Sequence, residues 1–146
     1  MNLLVDEDEL LQIARELQRI YKEQLKLYKS LLSVCRQQRA VLEKNGENCM
    51  TEFVDLLEKK DALIRQMGEL ERRADPLKRK WMAFNGVIEL PRQAAKINKI
   101  LDDIVAVIEE VMALEKENER VKDDLLLKVR RQFLRKGSTI TSDKPA

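Results

Sequence analysis

The chain has 146 residues, enough for one domain, with 37% charged, 44% apolar and 4% aromatic residues. Lys and Arg total 28 against 26 Asp and Glu, a net charge of +2, and there is no histidine. Histidine catalysis, histidine metal ligation and imidazole pH switching are therefore excluded, and the basic excess that nucleic-acid binding draws on is missing.

Leu, Glu, Lys and Arg dominate the composition, as in long amphipathic helices, and Gly (4) and Pro (3) are too scarce for a β sandwich or barrel. The first predicted helix spans about 6–44. Ile13, Ile20, Leu27, Val34 and Val41 lie seven apart, with Ala14, Tyr21, Tyr28, Cys35 and Leu42 one residue on. Leu10, Leu17 and Leu31 sit three residues before members of the first row. So wide a stripe suits a helix touching two neighbours. Acids at 6–9 complement the positive end of the helix dipole, and Asn45-Gly46 stops the helix with a left-handed cap.

The second predicted helix covers 48–84. Its main row is Cys49, Leu56, Leu63, Leu70, Leu77 and Phe84; its companion row is Phe53, Lys60, Met67, Ala74 and Trp81. Lys60 is expected to snorkel out of the seam. Asp75-Pro76 interrupts the pattern, yet both rows keep register across it, so the spacing predicts a kink near 76 in one continuing rod. Asn85-Gly86 marks the second connection.

The third predicted helix runs from Pro91 to about 135, with rows Ile97, Ile104, Val111, Asn118, Leu125 and Ile100, Val107, Leu114, Val121. Asn118, the one polar member, is of the kind that fixes register at a cost in stability. Residues 137–146 lack periodicity and are expected to be a disordered tail. Each helix has roughly 35–45 residues, about 50–65 Å long. Short connections make chain neighbours antiparallel, so the expected fold is all-α: an elongated antiparallel three-helix bundle with coiled-coil-like packing.

Parts for chemistry are missing. The glycines (46, 68, 86 and 137) are too scattered for a phosphate loop, and nucleophile–histidine pairs are unavailable. Cys35 and Cys49 make at most half of a zinc site, which takes about four ligands, and read as small core hydrophobes, with a disulfide between them left open. The chain reads as a non-enzyme without cofactor, metal or nucleic acid. No apolar run approaches the ~18 residues of a membrane span, and the acidic start is unlike a secretory signal, so a cytoplasmic location is expected.

Two features of the third helix point outward. Residues 102–124 hold nine acids against three bases, followed by Lys128, Arg130, Arg131, Arg135 and Lys136. That cluster suits a helix C-terminus, or a docking surface for an acidic partner. Leu125, Leu126 and Leu127 are consecutive and sweep about 200° of the helix, more than a core helix buries. With Val121, Val129 and Phe133 they form a candidate partner surface, unless they enter the core or a dimer interface.

The segment Ala40 to Glu47, then Phe53 to Ile64, then Leu70-Glu71-Arg72-Arg73, resembles the FlgN-type flagellar export chaperones. Lys60 with Leu63 occupies the place of that family's K-x-x-L stretch, and Leu70 to Arg73 that of its L-E-x-R element. The resemblance implies a cytoplasmic chaperone without ATPase activity. It would bind terminal helices of hook–filament junction proteins, prevent premature assembly and deliver its clients to the export apparatus. Clients would lie on the C-terminal helix at Val121, Leu125, Leu126, Val129 and Phe133, with the chaperone a monomer or weak dimer. The alternative from composition alone is a structural coiled coil, a homodimeric scaffold or adaptor without client delivery.

Overall fold

The computed structural model describes residues 5–44 and 49–143, with side chains of the last helix as far as Arg135. It contains three helices, α1 (Glu7–Lys44), α2 (Cys49–Phe84) and α3 (Pro91–Asp143), and no strand among the described residues. The expected Asn45-Gly46 break lies outside the described residues.

Each visible helix end has a local cause. Asp6 caps α1: its Oδ1 accepts from the Glu9 N–H at 2.7 Å and its carbonyl from the Leu10 N–H at 2.9 Å. Helix α2 closes where the Asn85 N–H donates to the Trp81 carbonyl and the Val87 and Ile88 N–H groups to Phe84. Helix α3 opens at Pro91, whose missing N–H is no loss in a first turn. Helix α2 is a single helix that contains Pro76, the residue at which a kink is expected. The Arg72 carbonyl, which loses its partner there, belongs to an exposed residue that water reaches.

Helix α3 continues to Asp143, past the expected end near 135. One glycine costs a helix only about 1 kcal/mol, and no proline intervenes before Pro145. The expected disordered tail, 137–146, is thus helical to Asp143; its last three residues lie outside the described residues.

Helix α1 is the centre of the bundle and packs on both other helices, while among the described residues no Cα of α2 comes within 8 Å of one of α3. Its buried stripe is wide for that reason. The rows 13/20/34/41 and 14/21/35/42 are buried, and so is a third, Leu10, Leu17, Gln24, Leu31 and Gln38. Helices α1 and α3 are parallel: Gln18 pairs with Gln93, Arg36 with Glu110, and Asn118 with Cys35.

The core runs along the rod as three clusters. The largest, around Leu10, Leu17, Ile20, Trp81, Ile97 and Ile104, sits where the 85–90 connection folds under, with Ile88 and Leu90 packed on it. The middle one joins Leu31, Leu32 and Cys35 to Met67 and Val111. The last joins Val34, Val41 and Leu42 to Cys49, Phe53 and Leu56. Cys35 and Cys49 are free thiols, both buried, as their place in the apolar rows required.

Candidate partner-binding surface

A polar layer crosses the bundle between the middle and last clusters. The Asn118 Nδ2 donates to the Cys35 carbonyl at 2.9 Å, while Asn118 Oδ1 and Gln38 Nε2 are buried without partners. Beside them, Lys60 Nζ lies 2.5 Å from Glu115 Oε1. The expectation that Lys60 snorkels to solvent is therefore corrected. Its side chain is only 16% exposed, and it reaches α3 because the gap between α2 and α3 admits a long side chain that ends in an ion pair. Burial pushes the Cys35 thiol above its ordinary range; Lys60 opposes that shift and Glu115 adds to it.

That gap is an open groove between α2 and α3, with a volume of about 400 Å³. Gln38 and Asn118 line it deeply, Phe53, Leu57 and Lys60 on one wall, Met112, Glu119 and Lys122 on the other. It follows directly from the α1-centred packing.

Toward the far end the inner seam of α3 runs out. Val121 and Leu125 pack on the last cluster, beside Leu42 near the C-terminus of α1. Continuing the two inner rows by seven gives Lys128, Gln132 and Arg135, all exposed. Leu127, Lys128 and Arg131 still border Leu42 and Glu43 at the end of α1; beyond Arg131 the helix runs on to Asp143 for 12 residues, about 18 Å at 1.5 Å per residue. The remaining apolar residues of this end lie on another face: Leu126 is 48% exposed, Val129 53% and Phe133 74%. With Leu127, Asp123 and Arg130 they border a shallow depression of about 610 Å³.

The five residues expected to hold a partner are thus divided. Leu126, Val129 and Phe133 share the open face. Val121 and Leu125 are half-buried against α1 and α2, because Leu125 belongs to the inner row that begins at Ile97. Across the Leu triplet, Leu125 turns inward while Leu126 and Leu127 remain exposed, as a 200° sweep requires.

Reading only core-directed rows missed a second seam. Val105, Met112, Leu126 and Phe133 are all exposed and fall in one seven-residue row with Glu119 at its centre. On α2, Leu57 and Ile64 form a shorter exposed row. The spacing was legible, but periodicity does not tell which of two rows faces inward.

No family model, curated protein or solved structure matches this chain. No helix among the described residues is long and apolar enough to cross a membrane.

Proposed function

We propose that this chain is a helix-binding chaperone of the flagellar export type. It acts in the cytoplasm on hook–filament junction proteins, covers an assembly-prone terminal helix and hands its client to the export apparatus. The observation carrying this reading is the outer face of the C-terminal part of α3, where Leu126, Val129 and Phe133 form an exposed apolar stripe bordered, among the described residues, only by α3 itself. An amphipathic client helix lays its own stripe against such a face, with anchors at i, i+3 and i+7. The fold needs none of these side chains, so they are free to serve a partner. The segments resembling FlgN-type chaperones supply the client class.

The test is calorimetric titration of the purified chain with synthetic terminal helices of hook–filament junction proteins. A saturable one-to-one complex is expected, abolished by Leu126→Asp with Val129→Asp. A failure of every such helix to bind refutes the client assignment.

A further inference from the structure

We infer that the outer face of α3 pairs antiparallel with the same face of a second copy of this chain, forming a two-fold dimer centred near Glu119. This goes beyond the chaperone reading and does not rest on it.

The apolar row gives the first argument. Val105 and Met112 are 51% and 64% exposed, as open as Leu126 and Phe133 on the other side of Glu119. The row is symmetric about the glutamate in spacing and apolar character, with Val105 and Met112 before it and Leu126 and Phe133 after it. Rotating a second copy about an axis near Glu119 sets Met112 against the second copy's Leu126–Leu127, and Val105 against its Phe133–Leu134. Such a row supplies one of the two positions per heptad that knobs-into-holes packing uses, and Val129 falls at the other.

Charge gives the second argument, and it selects the occupant. Flanking the row is another at the same spacing: Glu109, Lys116, Asp123 and Arg130, alternately negative and positive. All four are exposed, and none has an ion pair among the described residues. Antiparallel pairing midway between Lys116 and Asp123 places Glu109 opposite Arg130 of the second copy and Lys116 opposite Asp123 of the second copy, each twice by symmetry. A parallel pairing sets every one of them against its own charge. The wider distribution agrees. Residues 102–110 contain four acids and no base, whereas 125–135 contain four bases and no acid. The antiparallel register brings these stretches alongside one another, and complementary potentials of this kind fix orientation and register. The groove between α2 and α3, bordered by Leu57 and Met112, leaves the approach open.

Sedimentation of the full chain over a range of concentrations tests the proposal, with helicity by circular dichroism confirming that each variant folds. A concentration-dependent dimer is expected. Glu109→Arg alone should weaken it by about tenfold or more, by opposing two arginines, and Glu109→Arg with Arg130→Glu should restore it. Orientation is read from disulfides: a Met112→Cys chain mixed with a Leu126→Cys chain should cross-link to each other and not to themselves. A chain monomeric at every concentration, a dimer indifferent to Glu109→Arg, or self-cross-linking of the Met112→Cys chain each overturns the proposal. Monomers that nevertheless bind a client's terminal helix would give this face to the client alone.

Discussion

Replacing Leu126 and Val129 together by aspartate separates a partner surface from a core. Fully burying a side chain of this size is worth about 1.5–3 kcal/mol. Both are about half exposed, and among the described residues only their own helix borders them, so each forfeits at most half of that range. Neither new carboxylate is forced out of water. The double variant should lose at most about 1.5–3 kcal/mol in all, or some 3–12 °C in melting temperature for a chain of this size, which per substitution is at most half of what one buried carboxylate costs. Ile104→Asp is the comparison: Ile104 is 6% exposed inside the largest cluster. A carboxylate there has no partner, and the cost is at least about 3 kcal/mol. Thermal unfolding followed by circular dichroism, on dilute protein so that self-association contributes nothing, gives both values. A loss per substitution as large as that of Ile104→Asp would show that this apolar face of α3 is core.

Three further outcomes are expected. Asn118→Leu forfeits one hydrogen bond worth about 1 kcal/mol but also removes the unpartnered Oδ1, so the urea midpoint should hold or rise; a loss of about 3 kcal/mol would make the amide indispensable. Burial first, then the nearby Glu71 carboxylate, raises the pKa of Tyr21 above its ordinary 10.0. Its folded form therefore holds its proton longer than the unfolded one. The stability it contributes is intact below about pH 10 and lost as pH climbs through the raised value, which unfolding in alkaline buffers will reveal; stability constant across that range contradicts the assignment. Native protein should resist thiol reagents at neutral pH, since Cys35 and Cys49 are buried and the Cys35 thiol is pushed up, with both reacting once urea unfolds the chain. Rapid labelling of the native state would contradict the packing of the middle and last clusters.

Much of this architecture is written in residue spacing. Three helices, their order and the inner rows of each follow from seven-residue repeats broken by an Asn-Gly pair and by Phe84 to Pro91. What spacing does not carry is the choice among equivalent rows. Gln24 and Gln38 read as polar, yet they sit in the buried row with Leu10, Leu17 and Leu31 because α1 is enclosed on two sides. Val105 and Met112 lie outside the inner rows, and they face outward because α2 and α3 do not close on each other. Lys60 has the pattern of a snorkelling lysine, and only the distance to Glu115, 55 positions on, turns it inward. Each of these is a relation between helices, settled by which helix takes the centre. The candidate site was legible in the same measure: the excess of the Leu triplet was visible, the split between Leu125 and Leu126 was not.

Client and second copy compete for the same side chains, which couples the two proposals quantitatively. Leu126 and Phe133 form part of the antiparallel seam and also part of the stripe proposed for the client helix. A chain held in the dimer is not competent for a client. The apparent client dissociation constant then equals the intrinsic one divided by the monomeric fraction. Where a tenth of the chains are monomeric, client affinity falls by about tenfold. Raising the concentration of the chain across the dimer midpoint should therefore weaken binding of the proposed client per chain, the reverse of a cooperative assembly. Glu109→Arg, which opposes dimerisation at a residue outside the client stripe, should remove this concentration dependence and bring client affinity to its monomer value. Client affinity independent of concentration in a chain that does dimerise would place the two partners on different faces of α3.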